Sequence, residues 1–159
     1  IPVPKLRAFC DTDAFITPNR DQLFVDKDMY MDERNKNRLR FSYAHEMGHF
    51  ILHRQLYESL KINSYEDYYR FYDELPEDEY GKVETQANFF ASYLLVPRDK
   101  LKVYKQGVIK QYTKNKTLNI GNIEKELLNS YLAIPLSKLF GVSEEAMRNV
   151  LNNEDKFLV

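Results

Sequence analysis

His45-Glu46-Met47-Gly48-His49 is the part of the chain richest in reactive side chains. Residues four apart share one face of a helix, so His45 and His49 can offer ring nitrogens to one metal ion. For zinc the bonds would be about 2.0–2.1 Å long. Glu46 follows the first histidine, the position from which a carboxylate reaches a water on that ion in hydrolytic zinc sites. Zinc brings the pKa of such a water to about 7. The carboxylate can take its proton and later hand it to a leaving amine. All three histidines of the chain fall between positions 45 and 53. That clustering, within apolar helical surroundings, lifts the pattern above a chance match. The plainer alternative is a buried helix whose histidines are merely hydrogen-bonded.

Two histidines do not complete a catalytic zinc site, which takes three protein ligands and leaves a fourth position open. His53 lies one turn beyond His49, but a single helix has difficulty aiming three successive turns at one tetrahedral ion. His53 therefore reads as a hydrogen-bonded helix-end residue or a cleft residue. Glu84 is the better third ligand, because an acidic residue entering the apolar segment Val83-Glu84-Thr85-Gln86-Ala87-Asn88 calls for a partner. The alternative for Glu84 is a favourable charge at a helix N-terminus. Asn88 follows one turn later and shares that face. It can hydrogen-bond the free ring nitrogen of a ligating histidine and so fix its tautomer. A set of two histidines and one glutamate favours zinc, although manganese or iron would also accept such ligands.

These residues need a scaffold. The 159 residues are the size of one domain, and 43% hydrophobic with 30% charged is ordinary for a soluble globular protein. Period-two patterning over Leu6–Cys10 and Gln22–Asp26, with turn chemistry at Thr17–Asp21, predicts strands and a small antiparallel sheet within residues 1–30. Helical spacing over 33–56 predicts the helix that carries His45 and His49, buried around much of its circumference. Residues 65–80 are acidic and aromatic, and read as a short helix followed by a loop. Residues 82–97 form the helix carrying Glu84, ended by Pro97. Residues 122–152 read as two or three short helices, with Gly141 as a break and Ser143 as an N-cap. The expected fold is α+β: a small antiparallel sheet packed on a mainly helical, zincin-like domain with C-terminal helices, all as one domain over 1–159.

At this point two blocks resemble the ImmA/IrrE family of metallopeptidases. Arg40-Phe41-Ser42-Tyr43-Ala44-His45-Glu46-Met47-Gly48-His49-Phe50-Ile51-Leu52-His53 is similar to that family's Arg-Phe-Thr-x-Ala-His-Glu-Leu-Gly-His-x-x-Leu-His. Glu84 to Pro97 is similar to its Glu-x-x-Ala-Asn-x-Phe-Ala-x-x-Leu-Leu-x-Pro. The resemblance implies His45, His49 and Glu84 as metal ligands and Glu46 as catalytic base. It also implies a regulatory role, since members resemble proteins that cleave or inactivate DNA-binding repressors. A protein substrate of that kind, a transcriptional repressor, is the expected partner. The acidic-aromatic stretch 65–80 is longer than the family usually has between its blocks. No oxyanion-stabilising residue is recognisable by motif.

Other features exclude more than they assign. A formal net charge of −1 gives no global field toward nucleic acid or membrane. No apolar run approaches the roughly 20 residues of a transmembrane helix. Ile1-Pro2-Val3-Pro4 lacks the pattern of a signal peptide, and a first residue other than Met fits a trimmed form. The single cysteine, Cys10, permits no intrachain disulfide and suits a cytoplasmic location. Residues 134–151 resemble a helix-turn-helix, but Glu144 and Glu145 at the start of the second helix would repel phosphate. They read as a structural pair. The lysines of 98–116 read as a solvated face. The segment 65–80 reads equally as a lid, a docking surface for a basic partner, or a packed surface helix. Against the peptidase reading stands one from another class: a degenerate metal-containing module that sequesters a regulator. Retention of Glu46 favours the peptidase.

Overall fold

A computed structural model describes residues 1–17, 19–59, 76–114 and 123–154. The chain divides into two units, Ile1–Ala91 and Ser92–Val159.

The first unit contains a three-stranded sheet of β1 (Pro2–Val3), β2 (Ala14–Ile16) and β3 (Leu23–Asp26), in the order β1-β3-β2. β2 runs antiparallel to β3, with Phe15 opposite Phe24, whose rings stack at 5.2 Å. β1 runs parallel to β3, so the sheet is mixed where a purely antiparallel one is expected from the sequence. Thr17 N–H donates to Gln22 O and Asp26 N–H to Asp13 O. In an antiparallel pair such bonds fall on alternate residues. The N–H of Ile16 therefore points away from β3, toward the helical side.

Leu6–Cys10, expected as a strand, is a short helix, α1. Five residues are too few for either periodicity to declare itself. Its first turn is capped from outside: Asp26 accepts from Arg7 N–H at 2.9 Å and also from Met29 N–H at 3.0 Å, in the first turn of α2 (Lys27–Met31). One carboxylate thus satisfies orphan donors of two helices. Arg7 and Met29 hold its pKa below the usual carboxylate value, against the effect of burial.

A 3-10 turn (Glu33–Asn35) leads into α3 (Lys36–Leu52), and α4 (Arg54–Ser59) follows after His53. The helix expected over 33–56 therefore exists, but breaks at His53. It is also less enclosed than its composition suggests, since Met47, Phe50, Ile51 and Leu52 are exposed. Ala14, Val25, Met29 and Leu39 form a small core between the sheet and these helices, with Leu23 and Tyr43 against it.

α5 (Glu77–Leu95) begins five residues ahead of the expected 82 and ends before Pro97 as expected. The acidic-aromatic segment 65–80 lies outside the described residues up to position 75.

The second unit is helical among its described residues: the last turn of α5, then α6 (Arg98–Lys114), α7 (Lys125–Phe140) and α8 (Glu144–Asn152). Its core is apolar, built on Val96, Leu101, Leu132, Leu136, Met147 and Leu151, none more than 1% exposed. Pro135 sits inside α7 and has no N–H for the carbonyl of Tyr131. The hydroxyl of Tyr112 donates to that carbonyl at 3.3 Å. Gly141, with φ 63°, closes α7 in the left-handed conformation, and Ser143 caps α8 by accepting from Ala146 N–H at 3.1 Å. The lysines of α6 at 100, 102, 110 and 114 are exposed, while Lys105 pairs with Glu154.

Candidate metal centre

α3 and α5 meet at a point with no spare room. A Cβ built on Gly48 would lie 3.0 Å from the Cα of Ala87 and 3.2 Å from its carbonyl oxygen. Ala87 is fully buried there. Glycine therefore lets the two helices approach closely enough for their polar side chains to meet.

At this crossing His45 Nε2 and His49 Nε2 lie 2.9 Å apart. The Glu84 carboxylate completes the group, with Oε2 at 3.2 Å from His45 Nε2 and Oε1 at 3.4 Å from His49 Nε2. Three ligand atoms at the corners of a tetrahedron around zinc would stand about 3.3 Å from one another, given bonds of about 2.0–2.1 Å. The spacing fits a single ion, and the donor set is that of a hydrolytic zinc site. These three are the group among the described residues whose side chains could hold a metal.

The other ring nitrogens face away from the group. His45 Nδ1–H donates to Asn88 Oδ1 at 3.0 Å. His49 Nδ1 lies 3.0 Å from His53 Nδ1, and His53 Nε2 lies 2.9 Å from Gln86 Oε1. His53 is buried behind His49 and belongs to its support. Gln86 escaped the sequence reading. It falls off the apolar period of its helix, and only the crossing shows what it touches.

The charges respond to this crowding. Burial raises Glu84, but hydrogen bonds from His45 and His49 outweigh it and bring its pKa down to about 2. Burial pulls His45 down, and the Glu84 hydrogen bond with the charges of Glu46 and Glu84 more than offsets this, so its pKa is raised. Burial lowers the pKa of His53. Glu46 is the exception among the carboxylates. Burial pushes it up to about 7, against His45 and a hydrogen bond from Ile16 N–H at 2.8 Å. The outward-facing amide of β2 thus orients Glu46, one residue from the first histidine.

Two histidines and a glutamate brought within one ion's reach on an α+β scaffold are a donor set that metallopeptidases use. Residues 11–152 match the family described as the IrrE N-terminal-like domain, a peptidase family, and the chain belongs to it. No curated protein and no solved structure was found to match. No helix among the described residues is long and apolar enough to cross a membrane.

Proposed function

We propose that this chain is a zinc-dependent endopeptidase that hydrolyses a peptide bond in a regulatory protein such as a DNA-binding repressor. The observation that carries this is the convergence of His45, His49 and Glu84 within one ion's reach, with the buried carboxylate of Glu46 beside them. His45, His49 and Glu84 hold the ion, and Asn88 and His53 orient the two rings. Zinc in this site supplies Lewis acidity, bringing a water's pKa to about 7 and polarising the scissile carbonyl. Glu46 takes the proton of the attacking water on a carboxylate oxygen and passes it to the leaving amine nitrogen. Its pKa of about 7 suits both directions of transfer near neutral pH. The hydrogen bond from Ile16 N–H holds the carboxylate in place between the two transfers. The single cysteine supports action in the cytoplasm.

The test compares cells expressing the wild type with cells expressing Glu46→Gln, by labelling protein N-termini for mass spectrometry. New termini are expected with the wild type alone, while both proteins carry about one zinc per chain. Equal termini with both would remove Glu46 as the base. No specific metal in either, after zinc is supplied, would leave a regulator-binding module.

A further inference from the structure

Hydrolysis of a peptide bond needs one part not yet accounted for. As water adds to the scissile carbon, the π pair of the carbonyl moves onto its oxygen, and a positioned hydrogen-bond donor stabilises the charge that develops there. His45, His49 and Glu84 are given to the ion and Glu46 to the proton, which leaves this donor unassigned.

The row of α5 that faces the site extends one turn further. Asn88 and Glu84, four residues apart, both reach His45, Asn88 at Nδ1 and Glu84 at Nε2. Tyr80 is the next residue on that row, one turn before Glu84. Side chains on a helix lean toward its N-terminus, so the Glu84 carboxylate reaches back over the turn that begins at Tyr80. Tyr80 is 37% exposed, partly covered and partly open to solvent. Its phenol lies near enough to the carboxylates of Glu84 and Glu46 to feel both charges, and burial with these charges raises its pKa above the ordinary 10.0. Glu84 marks the ion and Glu46 the attacking water, so a group near both stands where the substrate carbonyl must enter. At neutral pH the phenol keeps its proton and can donate. In the sequence it is one tyrosine among several in an acidic-aromatic stretch, and no motif sets it apart.

We propose that Tyr80 is a further catalytic residue, whose phenolic O–H donates a hydrogen bond to the oxygen of the scissile carbonyl as water adds to its carbon. The proton stays on the phenol throughout. When the carbonyl re-forms, the C–N pair leaves with the amine, which takes its proton from Glu46, and Tyr80 is unchanged. A charged oxygen accepts a stronger hydrogen bond than a neutral carbonyl, so the contact favours the transition state over the bound substrate.

This inference rests on the metallopeptidase reading above, and its test keeps the two apart. The probe is phenylphosphonate, whose tetrahedral oxygens resemble the carbonyl after water has added. Its binding to the zinc-loaded full chain is measured by calorimetry, and zinc affinity by competition with a chromophoric chelator. Tyr80→Phe keeps the ring and removes the hydroxyl. It is expected to bind phenylphosphonate roughly 10-fold more weakly, the loss of one hydrogen bond to a charged group, and to hold zinc as the wild type does. Tyr80→Leu removes the ring as well and should lose no more. The new protein N-termini that the wild type produces in cells should form roughly 100-fold more slowly with Tyr80→Phe, the effect of removing one oxyanion donor. Equal phosphonate affinity, or equal rates of new termini, in a zinc-loaded wild type and Tyr80→Phe would overturn the assignment and leave the metal site standing. A loss confined to Tyr80→Leu, or zinc lost from Tyr80→Phe, would make Tyr80 a packing residue and overturn it too. If the wild type itself holds no zinc or makes no new termini, the metallopeptidase reading falls, and the assignment falls with it.

Discussion

The two units bury different chemistry. In the first, among the described residues, the buried polar side chains are ionisable: Asp26, Glu46, His49 and His53. In the second, among the described residues, they are the hydroxyls and amide of Ser92, Ser137 and Asn129, set within a continuous apolar core. Apolar burial stabilises by about 25 cal/mol per Å². A buried ionisable group costs free energy unless it is partnered. The first unit therefore gives part of its interior to ionisable groups, and every one of those named is matched to a partner. The second unit is free to be simply cohesive.

Substitutions can break that contrast at decreasing scale. Glu84→Ala should have the largest effect. Metal content by mass spectrometry is expected to fall from about one zinc per chain to near none, an affinity loss beyond the 10–100-fold typical of outer-shell partners. Leu132→Ala, at a fully buried position, should cost about 2–5 kcal/mol in urea unfolding and leave the zinc content of the folded chain unchanged. A loss of zinc there would show that the cohesive unit also maintains the site. Gly48→Ala places a methyl against the Ala87 backbone and must push α3 and α5 apart. It should cost about 1–3 kcal/mol and weaken zinc as well, whereas Gly107→Ala, where nothing stands within 4 Å, should do neither.

Smaller effects come from the caps. Ser143→Ala should cost about 1 kcal/mol at any pH. Asp26→Asn should cost a similar amount, but only where the carboxylate is charged. Its folded pKa lies below the ordinary 3.8, so its contribution is complete above that value and is lost as pH falls through the folded pKa. Urea titrations of wild type and Asp26→Asn should differ at pH 7 and converge in strong acid. A gap that persisted in acid would mean that the geometry of the cap matters more than its charge.

The contrast also explains what could be read from the sequence. The convergence of His45 and His49 was legible because helix geometry fixes the meaning of a four-residue step, and that of Glu84 because a charge in an apolar helix asks for a partner. The second unit was legible from its helix stops, Gly141 and Ser143. α1 was not, since the carboxylate that caps it lies 19 residues further on. β1 and β2 are two and three residues long, too short to show an alternation. The helix over 33–56 looked buried around much of its circumference, yet Met47, Phe50, Ile51 and Leu52 are exposed, because composition carries no information about which face meets another element. Gln86 and the amide of Ile16 were invisible for one shared reason: their roles exist only where two elements touch.

The Ile16 amide makes the hairpin a gauge for the helix beside it. Along β2 the outward amides recur only at every second residue, so a strand slipped by one position would turn the Ile16 N–H toward β3 and its side chain to the other face of the sheet. The proposed metal ligands lie on α3 and α5 and not on the sheet. If Glu46 is the base, as proposed, such a chain would load its ion and carry the base in an altered setting, so metal content alone would be an incomplete certificate of correct folding.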